Sequence, residues 1–437
     1  MDSGIKLLKF LVQLKRQLTA IPYICMMISI TPLRVLKNIE FRHLLTGRFF
    51  LIIAFRMLAT LLGWWVYQLT KDPFSIGLIG LSEVVPAVSC ALYAGHVIDM
   101  NEKKRLLLIC NYAYVVLISL LLIPAFLGHK LQFTGHEITY FIYAVIFFTG
   151  ICRSFLGPLV PSMIPRIVKQ ENLPYAVTLN QATFLIASVS GHALGGFLIA
   201  LITIKWTLVV IVSCMVLSSL FFWTINKQFS ENKNKDVKIF ESVKEGLAYI
   251  YKTKEILGAQ MLDMFAVLFG GAVAMIPVFA SDILKVGSEG FGLLNAASDI
   301  GSMLIIITLS MVPLRKNQGK ILLFVATGFG LCIIGFGLSK MYWLSFAFLV
   351  LSGMLDGISV VIRGTIVQLK TPEEIRGRVL SVNSIFIMSS NELGQFESGL
   401  TAKLMGVVRS VVFGGTMTVL TALFIGATSK KLRKMEY

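Results

Sequence analysis

The chain has 437 residues, 56% of them hydrophobic and 14% charged, with a formal net charge of +17. A soluble domain carries about 25% charged residues, and a mean hydropathy of +0.79 is more apolar surface than one soluble core can hide. The apolar runs call for a bilayer as solvent, and the basic residues fall in the gaps between them, which argues against a nucleic-acid-binding face.

In chain order, residues 1–43 read as an N-terminal cytoplasmic or interfacial extension. Leu7, Leu11, Leu14 and Leu18 form one apolar stripe at helical spacing, flanked by Lys6, Lys9, Lys15 and Arg16. That pattern suits a helix on an anionic leaflet. The run from Ile21 to Leu36 holds Pro22 and Pro32 and falls short of the ~20 residues of a span. It reads as interfacial, and no cleavable signal pattern accompanies it. An upstream start codon without structural role is an open alternative for this stretch.

Twelve apolar spans are expected next. The first six are Leu44 to Leu69, Ser75 to Ile98, Arg105 to Leu127, Ile138 to Pro161, Pro174 to Ile202 and Trp206 to Ile225. The second six are Ile256 to Ile283, Gly290 to Val312, Lys320 to Leu338, Tyr342 to Gln368, Gly377 to Leu404 and Val407 to Thr428. The expected units are a six-helix bundle over 44–226, a cytoplasmic linker over 227–255, a second bundle over 256–428 and a tail over 429–437. Within the linker Ile239, Val243, Leu247 and Ile250 recur at helical spacing, the mark of an amphipathic helix. Of the 40 Lys and Arg residues, 29 fall on the side holding both termini and 7 on the other. Basic loops stay cytoplasmic, so both termini are expected there.

An internal echo ties the halves together. Asn180, ten residues, Gly191, four residues, Gly196 is matched by Asn383, Gly394 and Gly399 at the same spacing. Arg56-x6-Gly63 opens one half as Asp263-x6-Gly270 opens the other. Glycines at such spacing let a neighbouring backbone approach closely. The second copy carries Glu392 and Glu397 where the first has Val189 and Leu194. Two similar halves, with ionisable groups in one, are the pattern of a membrane transporter.

The ionisable residues within spans are Glu83, Asp263, Asp299, Asp356, Glu392, Glu397, Arg56, Arg153, Arg363 and His192. Charge at membrane depth is costly, so each should face protein or water and have a partner. The proton-binding candidates are Asp263 first and Glu392 second, then Glu83 and Asp356, since a carboxylate in a partly desolvated cavity can exchange protons near neutral pH. For Asp263 a permanent pair with Arg56 is the structural alternative. Arg56, Arg153 and Arg363 would give a cavity of positive potential that favours an anionic substrate, unless carboxylates balance them. Asp299 joins them as a cavity candidate. Glu392 and Glu397, five residues apart, do not share a helix face. Glu397 reads as a packing residue beside the glycines, and His192 as a packed, hydrogen-bonded one there, with titration near neutral pH as the functional alternative. The six cysteines (Cys25, Cys90, Cys110, Cys152, Cys214, Cys332) are scattered, with no CxxC pair or zinc spacing, and read as buried thiols. No metal, cofactor or nucleic acid is expected. Strings of the H-E-x-x-H, G-x-S-x-G or G-x-G-D kind do not occur, so an intramembrane enzyme is disfavoured.

Several strings resemble the major facilitator superfamily. Gly95-His96-Val97-Ile98-Asp99-Met100-Asn101-Glu102-Lys103-Lys104 is similar to its loop G-x-x-x-D-R-x-G-R-R/K, matching at Gly95, Asp99, Lys103 and Lys104 and departing at Met100 and Glu102. Arg153-x-x-Leu156-Gly157 resembles R-x-x-Q-G. Gly191-His192-Ala193-Leu194-Gly195-Gly196 resembles the antiporter motif G-P-x-x-G-G, with His192 in the proline position. Gly63-Trp64-Trp65-Val66-Tyr67, the string from Leu262 to Gly271 and that from Arg376 to Gly399 look like the enterobactin-exporter-type branch. The resemblance runs from Phe41 to about Phe424. It implies an all-α membrane protein of twelve helices in two pseudo-symmetric six-helix bundles, with spans one, four, seven and ten lining a cavity. It also implies a gating role for the Asp99 loop, and secondary active, proton-coupled export of a small, siderophore-like molecule by a monomer in a bacterial inner membrane. An importer or facilitator of a nutrient on the same fold is the rival.

Overall fold

The computed structural model describes residues 35–128, 130–226, 239–312, 314 and 316–436. The expected extension helix and the first part of the linker lie outside these. Among the described residues every regular element is helical.

The first long helix, α1 (Ile39–Thr70), starts five residues before the expected Leu44 because Asn38 caps it. The Asn38 Oδ1 accepts from the N–H groups of Glu40 and Phe41 at 3.0 and 3.3 Å, and its Nδ2 donates to the Ile167 carbonyl at 2.8 Å. Such a cap satisfies the otherwise orphaned first N–H groups of the helix. Asp72 does the same for α2 (Pro73–Met100), which has proline in its first turn. Then come α3 (Lys103–Leu120), continued as Leu122–Leu127, and α4 (Gly135–Ile167), opened by a Thr134/Glu137 capping box. A 51-residue helix, α5, covers Leu173–Trp223. The linker helix α6 (Ile239–Lys252) precedes α7 (Lys254–Phe269). Beyond Gly270 the chain stays helical to Ile283, tightening to a 3-10 turn and then widening to a π turn, so the expected span from Ile256 to Ile283 forms as one distorted stretch, Lys254–Ile283. The rest are α8 (Gly287–Met311), α9 (Gln318–Leu338), α10 (Tyr342–Lys370), α11 (Glu373–Met405) and α12 (Val407–Thr428). Among the described residues ten helical stretches are long and apolar enough to cross a bilayer; α11, with its charged residues, is not one of them.

A 51-residue helix at 1.5 Å per residue would be about 77 Å long, more than twice the hydrocarbon thickness. The chain resolves this at Thr203, whose backbone leaves the helix at φ 68°, ψ 167°. Contacts with α1 give the direction on each side of the break. Gly191 lies against Ile53 and Arg56, and Gly195 against Met57 and Thr60. Ser218 donates to the Gly47 carbonyl at 2.8 Å, and Thr224 bonds His43 at 2.7 Å. The run before Thr203 therefore climbs α1 and the run after it descends, so α5 is two antiparallel passes.

The apolar core falls into three clusters. One is built from residues between Val35 and Ile225, with Phe41, Leu61 and Phe222 fully buried. Another is built from residues between Ile250 and Met435. The third joins Tyr67 and Ile76 to residues from Ala272 onward, among them Phe279, Phe291 and Phe336.

The glycine echo in the sequence corresponds to equivalent contacts. Gly191 closes on α1, and Gly394 closes on the Val267 and Leu268 carbonyls of α7. The second glycine of each copy meets a glycine of the opposite half: Gly196 meets Gly292 on α8, and Gly399 meets Gly77 on α2. A Cβ placed on Gly292 would lie 2.7 Å from the Gly196 Cα, and one on Gly399 2.8 Å from the Gly77 Cα. Only glycine permits backbones this close.

These seams sit at one end of the molecule. On α2, Gly77 and Gly80 touch α11 around Gln395, whereas a Cβ on Gly95 would meet nothing within 4 Å. Gly95 is five helical turns from Gly77 on the same face. Gly377, equally far from Gln395 along α11, also faces open space. The two helices splay, closed at the end away from the termini and open toward the termini.

Gly292→Ala should cost about 1–3 kcal/mol through overpacking and lower the thermal unfolding midpoint in detergent. Gly157→Ala on α4, where a Cβ meets nothing within 4 Å, should be neutral or gain up to about 1 kcal/mol from helix propensity. Equal midpoints for the two variants would contradict the close approach.

Candidate functional site

The long helices carry the predicted charges to two places. On α2 and α4, Glu83 and Arg153 form an ion pair, and the Arg153 guanidinium lies 5.6 Å from the Phe55 ring centre on α1. Glu392, on α11, is within electrostatic reach of Arg153 and Arg56, and Gln395 donates to it at 2.9 Å. These residues come from both halves. Arg56 stacks on Phe184 of α5 at 5.6 Å, and among the described residues no carboxylate reaches it at ion-pair distance.

The second place lies within α7 and α10. Arg363 pairs with Asp263, both 8% exposed, and its other nitrogen lies 3.8 Å from Asp356. Its Nε donates to Ser359 at 3.1 Å. Asp263 thus takes Arg363 as its partner, and the expected alternative of a pair with Arg56 is not what forms. The reason is register: Asp263 and Arg363 sit on neighbouring helices of one half, while Arg56 turns toward Phe184. The Asp263, Asp356 and Ser359 side chains, with Leu262 and Phe329, line a cavity of about 20 Å³, room for one water. A larger cavity, about 390 Å³, is lined by Lys370, Lys430, Lys431 and Lys434. It lies at the C-terminal tail, away from these charges.

The expectation of a positive cavity needs correction. Arg153 and Arg363 are each matched by a carboxylate, and Glu392 adds another, so Arg56 alone of the three holds its charge without a paired acid among the described residues.

A third polar cluster was not foreseen as a unit. Ser188 on α5 donates to Asp299 on α8 at 2.7 Å. His192 Nε2 lies 3.7 Å from the same Asp299 oxygen, and His192 Nδ1 is 2.9 Å from the Thr60 hydroxyl on α1. His192 is thus a hydrogen-bonded residue of the glycine seam, with Asp299 beside its other ring nitrogen. In the sequence, its signal is a polar residue inside an otherwise apolar glycine motif. Glu397, by contrast, has only the neighbouring Ser398 at 3.5 Å. The gating-loop residues flank the α2–α3 turn. Lys103 is buried as the first residue of α3 and Lys104 follows it; the Asp99 side chain lies outside the described residues. Of the cysteines, Cys110 and Cys152 are buried as expected, while Cys90, Cys214 and Cys332 are half-buried.

At the closed end, further contacts join the halves. The Tyr67 hydroxyl donates to Asp282. Lys403 lies 3.6 Å from Asp72 and 4.9 Å from the Phe74 ring centre. Trp64 stacks on Phe291 with ring centres 5.3 Å apart. Sequence reasoning missed these because helix-end residues look like ordinary loop polarity.

A family model described as transmembrane secretion effector, of the major facilitator type, matches residues 30–437. The chain belongs to that family of membrane transporters. It is 22% identical over 382 residues to the enterobactin exporter EntS of Shigella dysenteriae serotype 1, covering 86% of this chain and 88% of that one. It is 22% identical over 401 residues to EntS of Citrobacter koseri, covering 90% and 92%. Among solved structures, a single-residue variant of the nucleoside transporter NupG superposes with a TM-score of 0.73 at 13% identity, covering 89% of this chain and 99% of that one. A D-xylose-proton symporter superposes with a TM-score of 0.66 at 14% identity, covering 94% and 100%. The chain is a multi-pass membrane transporter of the major facilitator type, not an enzyme, and the relatives it resembles here are enterobactin exporters.

Removing one member of a buried pair strands the other. Arg363→Met should destabilise the protein by about 3–5 kcal/mol, and the double variant Asp263→Asn/Arg363→Met should recover most of that loss. Thermal unfolding in detergent measures both; a double variant no more stable than Arg363→Met would contradict the pairing.

Proposed function

We propose that this transporter is a proton-coupled exporter of a small, anionic, siderophore-like molecule, working by alternating access as a monomer in a bacterial inner membrane. The match to enterobactin exporters along almost the whole of both chains is the observation that carries this reading. We read the fold as twelve spans in two six-helix bundles, over 44–226 and 256–428, with both termini cytoplasmic. The fold-back at Thr203 and the length of α11 support a count of twelve. The separate cores on either side of the linker support two bundles.

In this reading, substrate enters from the cytoplasm between the splayed ends of α2 and α11. Arg56 is the group for an anionic or catecholic oxygen, because its charge is not already spent on an acid and Phe184 holds its plane. Glu392, between Arg153 and Arg56, couples substrate to proton: it takes up a proton when the far side is open and loses it to the cytoplasm as substrate binds at Arg56. Asp263, with Glu83 and Asp356, serves that proton chemistry less directly, being held by an arginine of its own half. Rocking about the glycine seams would then open the far side. A D-xylose-proton symporter shares the fold, so the fold does not set the direction and export is argued from the exporter relatives.

Inverted membrane vesicles with an acidic lumen should accumulate enterobactin, used as the probe, and a protonophore should abolish this. Arg56→Ala should cut uptake at low probe concentration about tenfold or more, the loss of one charge-assisted contact worth about 1.5–3 kcal/mol. Accumulation by intact cells, or uptake indifferent to the gradient, would contradict the proposal.

A further inference from the structure

The cluster at the α5–α8 seam has a chemistry that the transport reading has not used. Its parts come from both halves: Thr60, Ser188 and His192 from one, Asp299 from the other. It lies just inside the Gly196–Gly292 contact, about one helical turn from it along α5 and two along α8. When the halves part at that seam, Asp299 must leave His192.

The hydrogen bonds around His192 serve two protonation states without moving a heavy atom. The Thr60 hydroxyl has one proton and two acceptors in reach, the Arg56 carbonyl at 3.0 Å and His192 Nδ1 at 2.9 Å. With the imidazole neutral, Thr60 donates to Nδ1, and the ring's own proton on Nε2 points at the Asp299 carboxylate 3.7 Å away. With the imidazole protonated, Nδ1–H donates to the Thr60 oxygen, and Thr60 turns its proton to the Arg56 carbonyl. Nε2–H faces Asp299 in both states. Ser188 donates to Asp299 throughout. In both states Nδ1 and the Thr60 hydroxyl keep a hydrogen-bond partner, and the Asp299 charge beside Nε2 offsets part of the cost of charging a buried ring. The charged groups facing the pair are Arg56 from α1 and Asp356 from α10, which act on His192 and Asp299 respectively and oppose one another in sign.

We propose that His192 and Asp299 form the proton-binding site whose occupancy is tied to closure of the seam. It takes up one proton from the outside as Asp299 closes on His192, which holds the seam shut, and it loses that proton to the cytoplasm before Asp299 is carried away on α8. This rests on the proton-coupled reading above and moves the coupling proton from the α7 and α11 carboxylates to the α5–α8 seam. It also gives a role to the histidine that replaces the proline of the antiporter motif. Asp263, locked to Arg363 within one half, would feel no such change as the halves rock.

Histidine NMR tests the site without a substrate. The chain has 5 histidines, so ¹⁵N-histidine-labelled full-length protein in lipid nanodiscs gives few signals, and His192→Gln assigns the one in question. The His192 signal should pass from a neutral form bearing its proton on Nε2 to a doubly protonated form between roughly pH 9 and pH 5. Asp299→Asn and Thr60→Val should each displace that titration by about one pH unit or more. A His192 signal that keeps one form across the range overturns the proposal. In proteoliposomes with enterobactin as probe, Asp299→Asn should lose gradient-driven uptake and keep gradient-independent exchange. Gradient-driven uptake left intact in Asp299→Asn removes the seam site alone. A wild-type protein indifferent to the gradient removes the proton-coupled reading with it.

Discussion

A charge in hydrocarbon must find a partner, a hydrogen bond or water, and the cost of failing is several kcal/mol. That constraint arranges this molecule. Arg153 and Glu83, then Arg363 with Asp263 and Asp356, are settled inside one half or the other. Glu392 and Asp299 reach toward residues of the opposite half. The first kind of pair holds helices in place. The second kind is made and broken if the halves move, and so carries the mechanism.

Movement needs surfaces that part without tearing a core. The glycine contacts supply part of them: backbone meets backbone at Gly196 and Gly292, and at Gly77 and Gly399, while Trp64 on Phe291 and the Tyr67 and Ile76 contacts must also part. Polar contacts at the same end are the buried Tyr67 hydroxyl on Asp282 and the more exposed Lys403 beside Asp72. A pair of the second kind is individually weak. The seam is tight in distance, and it must open on each cycle.

Much of this was legible in the sequence. Hydropathy marked the spans, and the Asn-Gly-Gly echo marked the equivalent helices, because only glycine allows such an approach and its spacing follows the helix repeat. The charged residues announced themselves as outliers in apolar runs. What could not be read was who pairs with whom. Asp263 and Arg363 are a hundred positions apart, and their meeting depends on the rotation of α7 against α10. His192 and Asp299 lie in different halves, and their meeting depends on how the halves dock. The early start of α1 was missed because Asn38 acts through a cap, a local geometry that hydropathy does not see. The change of helix type beyond Gly270 was missed because the apolar run continues through it.

The central claim is that the in-span charges border a water-filled chamber that opens at one end when it closes at the other. Distances between paired spin labels test it most directly. One pair belongs at the inner ends of α2 and α11, at Gly95 and Gly377, and the other at the outer ends, at Asp72 and Lys403. The account predicts that, as the population is shifted by pH or by enterobactin, the inner distance shortens while the outer one lengthens. Two distances that stay fixed, or that lengthen and shorten together, would contradict it.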